Sequence, residues 1–246
     1  MNLFKRKFVT LLPILAIMGP GIIAASADND AGGITTYSVA GAQYGHSLLW
    51  VLLLTTLALS ITQEIGARMG LVTGKGLASL IREKFGIKWI AFVMGVLFIA
   101  NLGTIAAEFA GIAAAFEIFG VSKFISVPIA VIGMFLLVTK GSFKRLERIF
   151  LLFSFFFIAY AISAFTLKPD WGSAFSSLIM PHIEFDKGYI LTLMALIGTT
   201  ITPWGQFFIQ GYVVDKKLTK DDLKIERGDV FLGSFITNLI AFFIII

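Results

Sequence analysis

Apolar segments about as long as a bilayer is thick follow one another along this chain, and no other feature restricts its fold so strongly. Roughly 20 residues of helix cross the ~30 Å hydrocarbon layer. Residues 10–44, 47–69, 89–119, 124–139, 149–166, 189–214 and 230–246 each read as one such span, the last still apolar at Ile246. In lipid every backbone polar group must find its partner inside the structure, so the expected fold class is an all-α integral membrane protein. Composition agrees, because 57% of residues are hydrophobic and 14% charged, too little polar surface to cover a soluble domain. The lipid bilayer is therefore an expected partner. The net charge of +5 belongs to loops rather than to a nucleic-acid surface. The absence of cysteine removes disulfide scaffolds and thiolate metal sites. Residues 1–7 are basic and run straight into apolar sequence with no small-residue cleavage site before a soluble domain, so they read as the start of a retained helix.

Orientation follows from the cations. Seventeen Lys and Arg fall at the amino terminus and in the loops at 68–88, 140–148 and 216–227, against three (Lys123, Lys168 and Lys187) on the other side. By the positive-inside rule the amino terminus is cytoplasmic and the protein resides in the cytoplasmic membrane. His46 and His182 then fall at the outer side, away from any mid-membrane proton relay. Between the second and third spans, the turn Val72-Thr73-Gly74-Lys75-Gly76 precedes a short amphipathic helix at Leu77–Phe85. The lone Gly74-Lys75 lacks the spacing of a phosphate loop.

Two spans are interrupted. In the first, Ala27-Asp28-Asn29-Asp30-Ala31-Gly32-Gly33 places two carboxylates at membrane depth, where each costs about 2.5–3.5 kcal/mol even on lenient insertion scales. Such groups line a cavity or bind a cation, and the two glycines predict a helix break that frees backbone carbonyls. In the sixth, Gly198-Thr199-Thr200-Ile201-Thr202-Pro203-Trp204-Gly205-Gln206 contains a proline that leaves the Thr199 carbonyl without its helical donor. A kinked packing helix explains that segment alone. Paired with the first break, it predicts an inverted-repeat transporter with a midplane site between the breaks. Glu108, amid small residues of the third span, reads equally as a buried structural acid or as a pathway residue.

Several motifs, Gly19-Pro20-Gly21, Gly41-Ala42-Gln43-Tyr44-Gly45, Leu49-Trp50, Gln63-Glu64, Val72-Thr73-Gly74-Lys75 and Ala107-Glu108, resemble the Nramp family of divalent-metal transporters over essentially the whole chain. The resemblance implies a LeuT-like five-plus-five fold, with a first repeat at 1–166, an extracellular connection at 167–188 and an incomplete second repeat at 189–246. Spans eight to ten of that architecture are then missing, as in a fragment, a split gene or a remainder on another chain, with the apolar end at Ile246 favouring truncation after the seventh span, and a monomer is expected once complete. In the family, Asp-Pro-Gly-Asn and Met-Pro-His supply the metal ligands. By position these fall on Asp30-Ala31-Gly32-Gly33 and Thr202-Pro203-Trp204, with a backbone carbonyl at Thr199. Met180-Pro181-His182 spells the family tripeptide but lies among charged residues outside the spans.

The departures resemble the Nramp-related magnesium transporters. Expected metal-site residues are Asp30, Thr199, Thr202, Gly33 and Asp28, with Asn29, Glu108, Trp204 and Gln206 in the pathway or behind it. A hydroxyl in place of a thioether suits Mg²⁺, which prefers oxygen donors and keeps several waters. Gly33 and Thr202 would leave room for a partly hydrated ion. With Trp204 in place of the family histidine and Ile105 one turn before Glu108, proton coupling is not expected. The expected function is secondary transport of divalent cations, Mg²⁺ and Mn²⁺, with no cofactor and no enzymatic step. The alternatives are a proton-coupled Mn²⁺ or Fe²⁺ importer of the ordinary Nramp type and, from another class, a gated divalent-cation channel. An intramembrane aspartyl protease is disfavoured because its Gly-x-Gly-Asp segment is absent.

Overall fold

The computed structural model describes residues 23–24, 27–141, 149 and 152–246. The amino-terminal part of the first span, the Gly19-Pro20-Gly21 motif and most of the 140–148 loop lie outside the described residues. Ten α-helices carry the described chain: α1 Ala31–Tyr44, α2 Leu49–Thr73, α3 Leu77–Phe85, α4 Ile87–Ile118, α5 Lys123–Lys140, α6 Ile158–Leu167, α7 Trp171–Ile179, α8 Lys187–Thr200, α9 Pro203–Asp215 and α10 Leu223–Ile245. Short 3₁₀ turns at Phe155–Phe157 and Lys220–Asp222 lead into α6 and α10.

The core forms where α1, α2, α8, α9 and α10 meet, with α10 lying along α2 and also against α1. Tyr37, Leu48, Leu49, Tyr189, Leu196 and Ala241 are buried at one end of it, and Ala67, Ile209, Val213 and Val230 form a second cluster where α9 and α10 pack on α2. Gly66 and Gly70 make the α2–α9 approach possible. An added Cβ would stand 2.9 Å from the Ile209 side chain at the first and 2.4 Å from the Val213 side chain at the second. By contrast α4 and α5 pack on each other as a hairpin and present most of their large apolar side chains outward.

The connection between the fifth and sixth spans is not irregular, as its polarity suggests. It contains α7, capped by the Asp170 side chain on the Ser173 N–H, and the chain turns by 120° between α6 and α7. Ala174 of α7 is fully buried, Trp171 and Leu178 pack against the first of the two clusters, and His46 Nδ1 lies 3.1 Å from Ser173 Oγ. The seventh span also begins earlier than residue 230. α10 starts at Leu223, and in its second turn Arg227 donates through Nε at 3.1 Å and Nη2 at 2.8 Å to Glu64 Oε1 of α2. Further along the same seam Thr55 Oγ1 donates to Asn238 Oδ1 at 3.0 Å. Hydropathy counts those residues as polar, and only the partner helix shows that they are satisfied.

Candidate functional site

Both interruptions are helix breaks, and they touch. The first break occupies Asn29 and Asp30, and α1 then starts at Ala31 with Asp30 as its N-cap, accepting from the Gly33 N–H at 2.6 Å. Gly32 and Gly33 therefore lie in the first turn of α1 rather than in the break, which differs from the expectation. The Asp side chain holds a helix start that glycine would otherwise disfavour. The second break occupies Ile201 and Thr202, with Pro203 at the first position of α9, where a missing N–H costs nothing. Pro203 has no N–H to offer the Thr199 carbonyl, so the last turn of α8 keeps acceptor capacity at its negative dipole end.

Gly33 is the point of contact between the breaks. A Cβ there would stand 3.0 Å from the Asp28 carbonyl oxygen, 3.3 Å from Asp30 Oδ1 and 3.4 Å from Thr199 Oγ1. One turn further into α1, the Tyr37 hydroxyl pairs with Thr200 Oγ1 at 3.1 Å. These contacts fix the crossing of α1 over α8.

The predicted residues divide into two groups. Asp28 is 2% exposed and faces the Thr202 hydroxyl, yet neither its two carboxylate oxygens nor that hydroxyl has a hydrogen bond of acceptable geometry among the described residues. A buried carboxylate so placed requires a compensating cation or proton. Asp30 is half-buried and, with Ala27, Thr104, Glu108 and Trp204, lines a cavity of about 340 Å³. Glu108 Oε1 accepts from the Ala31 N–H at 3.0 Å, so this acid both borders the cavity and satisfies an open donor of the α1 start. The close approach of α4 that allows this is made at Gly111, where a Cβ would stand 2.6 Å from the Ala31 side chain.

Asn29 and Gln206 are directed elsewhere. Asn29 Nδ2 donates to the Thr237 carbonyl of α10 at 3.4 Å, and Gln206 Nε2 donates to Thr62 Oγ1 of α2 at 3.3 Å. Gly33 does not line the cavity, and its lack of a side chain accommodates the Asp28 carbonyl rather than a hydrated ion. Met180-Pro181-His182 lies in an exposed stretch after α7, where the His182 carbonyl accepts from the Tyr189 hydroxyl. The sequence reading missed Thr104, although it stands one turn from Glu108 on the same face of α4, and Asn101 extends the polar stripe by another turn. It also missed Tyr37, which no periodicity separates from an ordinary core aromatic.

Among the described residues no three His, Asp or Glu side chains converge to hold a metal. A cation at this crossing would have the carboxylates of Asp28 and Asp30, the Thr202 hydroxyl and backbone carbonyls as its oxygen donors, a hard set.

The crystal structure of the Eremococcus coleocola manganese transporter in complex with an aromatic bis-isothiourea compound superposes with a TM-score of 0.81, at 21% identity, over 94% of this chain and 51% of that one. Two touching helix breaks in that framework define the fold class: an all-α, multi-pass membrane protein with the LeuT-like transporter architecture. Residues 21–246 match the family model described as natural resistance-associated macrophage protein-like, and the chain belongs to the Nramp family. The divalent metal cation transporter MntH of Bacillus subtilis (strain 168) is 32% identical over 245 residues, covering 97% of this chain and 56% of that protein. Its counterpart in Burkholderia ambifaria is 31% identical over 221 residues, covering 87% of this chain and 49% of that protein. The chain thus spans about half the length of the curated relatives it matches.

Proposed function

We propose that this chain supplies the ion-binding half of a divalent metal cation transporter of the cytoplasmic membrane, with the cation held between Asp28, Asp30, Thr202 and the end of α8. The observation that carries this is the buried Asp28 carboxylate facing the Thr202 hydroxyl where two helix breaks meet, both without a well-formed hydrogen bond among the described residues. The relatives named as divalent metal cation transporters support the substrate class. The donor set supports Mg²⁺ alongside Mn²⁺, since among the described residues no methionine lines the cavity and a tryptophan rather than a histidine stands at 204. The same features support uptake without proton coupling, because an indole only donates.

A second reading, the ordinary Nramp type with Mn²⁺ or Fe²⁺ and protons, is favoured by one observation. Glu108 shares the cavity with Asp30 and offers a second carboxylate for a proton. Uptake into liposomes carrying a pH dye separates the two. The first reading expects Mg²⁺ to compete with Mn²⁺ and the lumen to stay at constant pH. Lumen acidification that tracks Mn²⁺ entry, with Mg²⁺ failing to compete, would establish the second.

A further inference from the structure

Helix α3 and its surroundings form a surface that the ion site does not use. Leu77, Leu80, Ile81 and Phe85 recur at helical spacing along α3 and, with Met69 from the end of α2, wall a cavity of about 550 Å³ that Glu83 and Lys84 border. Glu83 is already engaged, since both its oxygens accept from Lys75 Nζ, at 2.8 and 2.9 Å. Arg82 and Lys84 in the last turn of α3 and Lys88 in the first turn of α4 are exposed, and none of them makes an ion pair among the described residues. One of these cations, Lys84, borders the apolar-walled cavity, Arg82 precedes it by two residues on α3 and Lys88 follows it by four, and among the described residues the bordering anion, Glu83, is already compensated. Phe85 in its wall and Ile87, Trp89 and Phe92 at the start of α4 are exposed. Apolar and indole side chains interleaved with cations are the pattern of a membrane–water interface.

We infer that this surface binds an anionic phospholipid, with an acyl chain in the cavity and the phosphate against Arg82, Lys84 and Lys88. Charge complementarity selects this occupant. A zwitterionic lipid would bring no net charge for three cations, and a free phosphate would leave the apolar walls uncovered. The bound lipid would sit close to the transport machinery, because the Lys75 carbonyl, two residues before α3, accepts from Gln210 Nε2 of α9 at 2.8 Å. The inference does not depend on which ion is carried.

The test is retention of added phosphatidylglycerol or phosphatidylcholine by the full chain, immobilised in detergent, washed and quantified by mass spectrometry. The expected result is about tenfold more phosphatidylglycerol than phosphatidylcholine at low salt, falling as salt rises. The triple variant Arg82→Gln, Lys84→Gln, Lys88→Gln should lose the preference, while Lys123→Gln, at the other end of the α4–α5 hairpin, keeps it. Glycerol phosphate should not displace the lipid. Equal retention of the two lipids by the parent, an unchanged preference in the triple variant, or displacement by glycerol phosphate would each overturn the assignment. Exclusion of both lipids would assign the groove to a protein segment and overturn it as well. All three substituted side chains are exposed, so a change in retention reports binding rather than folding.

Discussion

From the motif alone, Gly33→Asn should restore a missing ligand and tighten Mn²⁺ binding. The structure predicts the opposite. Any side chain at this position brings a Cβ to 3.0 Å from the Asp28 carbonyl oxygen, a backbone atom that yields only if the break itself moves, and to 3.3 Å from the Asp30 oxygen that caps α1. Overpacking of this kind costs about 1–3 kcal/mol. Roughly 1 kcal/mol of it is offset by the better helix propensity of alanine over glycine. Net stability should therefore fall by no more than about 2 kcal/mol, but the strain falls directly on Asp28, Asp30 and Thr199. If about 1.4–2 kcal/mol of it appears as lost ion affinity, binding weakens on the order of 10- to 30-fold. Isothermal titration of Mn²⁺ and Mg²⁺ into the parent, Gly33→Ala and Gly33→Asn should show both variants weaker, with asparagine no better than alanine. A tenfold gain in Mn²⁺ affinity for Gly33→Asn would refute the steric reasoning, since it requires the break to accept a side chain without displacing its own acid.

Three further outcomes are expected. Asp30→Ala should abolish divalent uptake and leave a folded protein, and undiminished Mg²⁺ or Mn²⁺ flux in that variant would remove the site assignment. Thr202→Met places a thioether where a buried hydroxyl faces Asp28, and should shift competition toward Mn²⁺ or Cd²⁺ over Mg²⁺ by about tenfold, or about 1.4 kcal/mol. Equal competition by Mg²⁺ before and after would show that Thr202 does not face the ion. Glu64→Ala removes the acceptor of two Arg227 hydrogen bonds and the 3.2 Å pair with Arg68. Because both arginines are partly exposed, the loss should be about 1–2 kcal/mol, seen as a melting temperature lower by roughly 2–8 °C in detergent. An unchanged melting curve would mean that the α2–α10 seam does not depend on this ion cluster.

The helical class is legible in the residue order alone, because long apolar runs in lipid leave the backbone no other way to pair its own groups. Also legible there are α3 at Leu77–Phe85 and the two breaks, since carboxylates at membrane depth and a mid-span proline act locally. What those breaks face depends on how distant helices pack against them. Nothing in the order Asp28, Asn29, Asp30 shows that the middle residue turns to α10 while its neighbours turn to the α8 and α4 sides. The sequence likewise leaves Gln206 beside the second break, whereas the fold ties it to Thr62 of α2. Glu108 becomes a partner of the α1 start only because Gly111 lets α4 approach Ala31. The early start of α10 and the docking of α7 through Ala174 were hidden for the same reason. A hydropathy pattern counts a polar residue as exposed, and whether it is paired depends on a helix that arrives from more than a hundred residues away.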